Sequence, residues 1–134
     1  MAAAPTRFAG AELERAFKAE SLSFGENQLY HRYQPGQAVR SGPMFSVVNV
    51  VKPGVFNPDE LTVMETPGLV VFMDAETLKE PTAVFDEMLA TVQRLAERLE
   101  GRVCDQNRSP LTTQAINHLR ESVAEYARRR MLRS

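Results

Sequence analysis

The sequence has no tryptophan, a single cysteine and no excess of charge of either sign. One cysteine, Cys104, cannot close an internal disulfide, so the chain reads as one made for a reducing compartment. Lys and Arg number 16 and Asp and Glu 17, leaving a formal net charge of −1. General nucleic-acid binding needs a basic surface, and this balance argues against it. No apolar run approaches the roughly 18–20 residues that cross a bilayer. The start, MAAAPTR, lacks the apolar core of a signal peptide. These absences describe a soluble chain of cytoplasmic character, long enough at 134 residues for one domain with a real core.

Catalytic chemistry is equally scarce. The two histidines, His31 and His118, have no Cys, Asp or Glu beside them at metal-ligand spacing. Gly54 and Gly68 each follow a proline, without the lysine and helix start of a phosphate loop. Asp59 and Glu60 follow a proline in a loop and read as surface charge, and Cys104 as an inert buried thiol. The reading is of a protein that is not an enzyme and holds no metal or cofactor.

What the sequence does have is concentrated between Pro43 and Asp74. Met44–Val51 (MFSVVNVV) and Leu69–Met73 (LVVFM) are β-branched and aromatic runs bounded by the turns Pro53-Gly54 and Pro67-Gly68. Side chains alternate across a strand, so Phe45 and Val47 point one way and Val48 and Val50 the other. Leu69, Val71 and Met73 share one face, and Val70 and Phe72 take the opposite one. Both faces are apolar, so the sheet must be covered twice or must keep one face for a partner. Asn49, between apolar neighbours, reads as a side chain hydrogen-bonded within the fold.

Around this centre, residues 1–9 read as a loose lead-in and residues 10–134 as the domain. Ala11–Ser21 has a thin helical stripe of Leu13, Ala16 and Phe17, and Gln28–Tyr33 (QLYHRY) alternates like a strand, with Leu29 and His31 on one face. Gln34–Gly42 reads as a hairpin loop and Glu60–Met64 as a short strand. Pro81 opens the strongest helix, whose Val84, Phe85, Met88, Leu89, Val92, Leu95, Ala96 and Leu99 recur at helical spacing. Gly101 stands where a left-handed cap belongs. Arg102–Asp105 reads as a strand on the sheet's interior. Thr112 then caps a last helix with Ile116, Leu119, Val123 and Tyr126 as its buried stripe. Arg128, Arg129, Arg130 and Arg133 complement that helix's dipole.

The order of elements predicts an α+β fold: a mostly antiparallel five- or six-stranded sheet with three helices packed on one face. Three helices do not cover two faces. Leu29, Val48, Val50, Val70 and Phe72 are left as an exposed apolar patch, which soluble monomers seldom carry without a binding use.

GENQLYHRY, GPMFSVVNVVKPGVFNP and ETPGLVVFMD together resemble the C-terminal domain of the ZipA family, bacterial cell-division proteins that bind FtsZ. The family has runs like FGDMNIYHRH, a strand ending N-M-V-K-P-G-x-F-x-P, and T-P-G followed by V-x-I-F-M. The likeness continues through the long helix, the G-x-V segment and the start of the last helix, so it spans nearly the whole chain from Phe8. It implies three helices on one face of an antiparallel sheet and, on the other, a shallow apolar cleft that receives the C-terminal tail of FtsZ. Carried over by motif, Leu29, Val48, Val50, Val70 and Phe72 fall on the cleft, with Lys52 and Gly68 at its edge and Asn27 in one wall. Many family members have methionine where this chain has Asn27, which makes that wall more polar. The resemblance further implies tethering of the division ring at the inner membrane by an N-terminal anchor and linker absent from this sequence, which therefore reads either as a fragment or as a protein with an altered start. It lacks, too, the family's apolar strand before the first helix, and a missing strand leaves its sheet neighbour exposed to pairing with another chain.

The implied mechanism is hydrophobic anchoring of a peptide, by a domain that makes no direct membrane contact. Two rivals come from other classes. Single-stranded RNA stacking on strand aromatics fails on charge and on parity, because only Phe72 is expected on the free face. Self-association through the apolar face or an unpaired edge, giving a homodimer in place of a monomer, is the alternative.

Overall fold

The computed structural model describes residues 7–34 and 42–133, apart from the side chains of Thr62 and Arg133. Of the expected hairpin loop, residues 35–41 lie outside the described part, as do residues 1–6 of the lead-in. The elements run β1 (Phe8–Ala9), α1 (Gly10–Ala19), β2 (Ser23–Phe24), a 3-10 turn (Glu26–Gln28), β3 (Tyr30–Arg32) and β4 (Phe45–Asn49). A second 3-10 turn (Leu61–Val63), β5 (Glu65–Thr66), β6 (Leu69–Phe72), α2 (Pro81–Leu99) and α3 (Thr113–Arg133) follow. The class is α+β, as predicted, and every strand pair is antiparallel. The strands divide into two sheets, one of four in the order β2-β3-β4-β6 and one of two, β1-β5, where one larger sheet was expected.

Parity along β3, β4 and β6 sorts their side chains onto two unlike faces. The register pairs Tyr30 with Val47 and Val47 with Val71, and Asn49 with Leu69. On that face Tyr30, Phe45, Val47 and Leu69 are buried against Leu13, Ala16 and Phe17 of α1 and Val84, Leu95 and Leu99 of α2. The rings of Phe17, Tyr30 and Phe56 meet at centroid distances of 4.5, 5.8 and 5.3 Å. Each such aromatic contributes about 1.5–3 kcal/mol by burial. Arg32, on the same face, reaches α2 through Glu87 and Thr91, at 2.9 Å each.

Pro81 occupies the first turn of α2, and Thr112 caps α3 through its Oγ1, which accepts the Ala115 N–H at 3.0 Å. The last helix packs on α2, but its stripe is thinner than its spacing suggests. Ile116, Val123 and Tyr126 are half-buried and Leu119 is exposed.

Five local expectations are corrected. Phe8 and Ala9 are not lead-in: they pair with Thr66 and Glu65, and Phe8 is in the core because its ring seals the end of α2. Glu60–Met64 is a 3-10 turn rather than a strand, its N–H groups bonding back to Asn57, Pro58, Glu60 and Leu61. At the end of α2 the left-handed residue is Glu100, not Gly101. Gly101 is glycine for room, since a Cβ there would lie 2.7 Å from the Phe8 ring. Arg102–Asp105 joins neither sheet. Its backbone bonds go to the following loop, Leu111 N–H to Val103 O and Asp105 N–H to Ser109 O, leaving one bridge at Cys104. Cys104 itself is half-buried, not buried.

Candidate protein-binding face

The second face of the four-stranded sheet is built by the alternate residues of the same strands. Val48 stands directly across from Val70, and Ser46 from Phe72. Val50 donates its N–H to Gly68 O at 3.1 Å, which carries the ladder one pair beyond β4. Leu29 precedes the Tyr30–Val47 pair by one residue, which sets it level with Val48. Leu29, Val48 and Val70 thus form an apolar row across three strands, flanked by Phe72 on one side and Val50 on the other. Val70 is 42% and Phe72 43% exposed, while Leu29, Val48 and Val50 are half-buried. Fully covered core valines would be closed to solvent, as Val47 is.

The remaining predicted site residues lie at the margins. Lys52 is exposed in the Val51–Gly54 turn, where Gly54 has φ +92 and its N–H bonds Val51 O at 2.9 Å. Gly68 is buried and shaped by Thr66, whose Oγ1 accepts the Gly68 N–H at 3.3 Å. The Thr66 hydroxyl also lies 2.6 Å from Asn49 Oδ1, so Asn49 is hydrogen-bonded within the fold, though half-buried. Asn27 is exposed in the 3-10 turn at φ 62, a left-handed backbone that asparagine tolerates better than most side chains. The structure brings Leu29, Val48, Val50, Gly68, Val70 and Phe72 onto one surface, with Lys52 in the turn beyond Val50 and Asn27 in the turn before Leu29.

Sequence reasoning gave no part to two polar residues of this face. His31 and Ser46 are cross-strand partners on it, both 4% exposed. Strand parity had set His31 beside Leu29, and that was the available signal. His31 Nδ1 lies 2.6 Å from Ser46 Oγ and Nε2 lies 2.7 Å from Glu26 O. The two polar groups are thus spent on each other and on the Glu26 carbonyl, and the face presents apolar surface, with the exposed Lys52 at one end.

Val50 and Val70 also border a cavity of about 430 Å³ beside β6. Leu69, Val71, Phe85, Met88, Val92 and Leu119 line it too. Among the described residues no group of three or more His, Cys, Asp or Glu could hold a metal ion. Nor is any described helix long and apolar enough to cross a membrane.

Fold and surface define an α+β domain whose sheet packs helices on one face and on the other exposes Val70 and Phe72 beside half-buried Leu29, Val48 and Val50. Residues 1–122 match the family model described as ZipA, C-terminal FtsZ-binding domain, and the chain belongs to that family. It is 34% identical over 125 residues to the cell division protein ZipA of Pseudomonas fluorescens strain Pf0-1, covering 93% of this chain and 43% of that protein. To the cell division protein ZipA of Stutzerimonas stutzeri it is 35% identical over 127 residues, covering 95% and 46%. To that of Marinobacter nauticus it is 33% identical over 123 residues, covering 92% and 36%. The chain spans less than half the length of these curated relatives. The family is one of cell-division proteins and not of enzymes.

Proposed function

We propose that this chain binds the C-terminal tail of FtsZ on the open sheet face. The observation that carries this reading is the row Leu29–Val48–Val70 with Phe72 beside it, in a family described by FtsZ binding. An extended or amphipathic peptide lays two or three large apolar side chains across the row. Burial contributes roughly 25 cal/mol per Å² of apolar surface. Ordering the tail opposes it, so a single peptide binds at about micromolar Kd. Many tails on a polymer, facing many domains tethered at the inner membrane, raise the effective strength by avidity. In that role the domain works on the cytoplasmic side, helping to hold the division ring at the inner membrane.

Calorimetry of the chain with a synthetic peptide of the FtsZ C-terminus, repeated from low to high salt, tests this. Hydrophobic anchoring predicts micromolar binding with a negative heat-capacity change and a shallow salt slope. Absence of binding in both salt regimes contradicts it.

A second reading, self-association, has one observation in its favour. β6 ends the four-stranded sheet. Gly68 O faces β4, so the backbone groups of Leu69 and Val71 face the other way, toward the cavity. A strand of a second copy could add there. Mass measured against concentration separates the readings, since the peptide-binding reading predicts a constant monomer mass.

A further inference from the structure

We infer that His31 is a positioning residue for the binding face, clamping the Glu26–Gln28 turn, and with it Asn27, to the sheet. The inference rests on the peptide-binding reading and adds a residue to it. Two consecutive non-glycine residues of that turn, Asn27 and Gln28, hold left-handed backbone at φ 62 and φ 60. Such a turn persists only where its surroundings hold it in place. Its local bonds are Gln28 N–H to Gly25 O at 3.1 Å, Leu29 N–H to Glu26 O at 3.3 Å and Gly25 N–H to Leu29 O at 3.0 Å. Phe56 N–H bonds Gln28 O from the far side at 2.8 Å. β2 and β3 hold the two ends of the turn in the sheet, and His31 supplies the side-chain tie across it.

The geometry fixes the role of Nε2. A carbonyl only accepts, so Nε2 carries a hydrogen and donates it to Glu26 O at 2.7 Å. Nδ1 bonds the Ser46 hydroxyl at 2.6 Å. Ser46 stands across from Phe72. One imidazole therefore connects the wall that carries Asn27 to the strand position across from Phe72, beside the apolar row. It does so from beneath, at 4% exposure, where it touches no peptide. Without it the turn keeps its backbone bonds but loses the side-chain tie that fixes the wall relative to the apolar row.

The test compares three replacements in the full chain: His31→Gln, His31→Asn and His31→Leu. The glutamine amide reaches the position of Nε2 and keeps the donor to Glu26 O. Asparagine is shorter and reaches only the Nδ1 side, and leucine keeps bulk alone. We expect the Gln variant to bind the FtsZ tail peptide within about threefold of the parent, and the Asn and Leu variants about tenfold or more weaker. The Asn27 and Gln28 amide signals should move in the latter two while those of Val47 and Phe17 stay. Should either fail to fold, Ser46→Ala, which releases one end of the ring, is expected to weaken binding severalfold with Ser46→Thr restoring it. Folded Asn and Leu variants that bind like the parent overturn the inference and leave the binding reading standing. A Gln variant as weak as Leu also overturns it, since bulk and not the donor would then be decisive. A parent chain that binds no peptide overturns both.

Discussion

Val48 and Val70 face each other across the β4–β6 ladder and share the sheet face opposite the helix-packed core. One residue along each strand, Val47 and Val71 form the next pair and turn the other way, and Val47 is fully buried beneath the helices. The same two strands thus supply core and surface in alternation. Mutations one residue apart are therefore expected to separate stability from binding.

Phe72 is the sharpest case. At 43% exposure its side chain contributes little to the core, yet aromatics dominate binding hot spots. Phe72→Ala is expected to shift stability by less than about 1 kcal/mol and to weaken peptide binding by about 2 kcal/mol, roughly thirtyfold. Val47→Ala is expected to do the reverse, losing about 2 kcal/mol of stability with binding kept in the folded fraction. Denaturant titration and calorimetry on the two variants check the pair.

Glu20 is held by Arg94 at 2.7 Å and Arg98 at 3.2 Å, and the burial is one-sided. The carboxylate side chain is 4% exposed, the arginines 46% and 48%. Removing both arginines leaves a buried charge without a partner, whereas replacing Glu20 lets two half-exposed cations return to water. Arg94→Ala with Arg98→Ala should cost about 2–4 kcal/mol, and Glu20→Gln distinctly less. Urea unfolding of both variants reads the asymmetry.

Gly101 and Phe8 form a steric pair. A Cβ at Gly101 would lie 2.7 Å from the Phe8 ring, so Gly101→Ala is expected to destabilise by about 1–3 kcal/mol. Phe8→Leu costs stability alone but should lower the added cost of Gly101→Ala. A double-mutant cycle with no coupling contradicts the packing described.

The pH dependence at the alkaline end follows from Tyr30. Burial first, and the Glu14 carboxylate second, push its phenol above the ordinary 10.0. A raised folded-state value favours the neutral ring, so the stability this contributes is complete below about pH 10 and is lost as pH rises through the folded-state value. Tyr30→Phe should flatten the fall in thermal midpoint above about pH 10. A parent and a Phe variant that decline identically contradict it.

Much of this was legible in the sequence because parity is local. Alternation in Met44–Val51 and Leu69–Met73 was enough to assign Phe45 and Val47 to the core and Val48, Val50, Val70 and Phe72 to the other face. The period of α2 was equally plain. What was not legible depends on contacts distant in sequence. Arg102–Asp105 has strand-forming residues but bonds to its own following loop. Phe8 looks like lead-in until Thr66 pairs with it and Gly101 makes room for its ring. The positive φ at Glu100 sits on a residue whose chemistry does not announce it, while the adjacent glycine serves packing. His31 was placed on its face by alternation, but its bonds to Ser46 and Glu26 are products of the folded register.

The most direct test of the central claim is an NMR titration of the isotope-labelled chain with a peptide from the C-terminus of FtsZ of the same organism. The account predicts saturable shifts concentrated at Leu29, Val48, Val50, Gly68, Val70 and Phe72, with smaller ones at Asn27 and Lys52. Signals of Tyr30, Phe45 and Val47, on the helix-covered face, should hold still. A dispersed spectrum that the peptide does not move, or shifts confined to the helix-covered side, would contradict it.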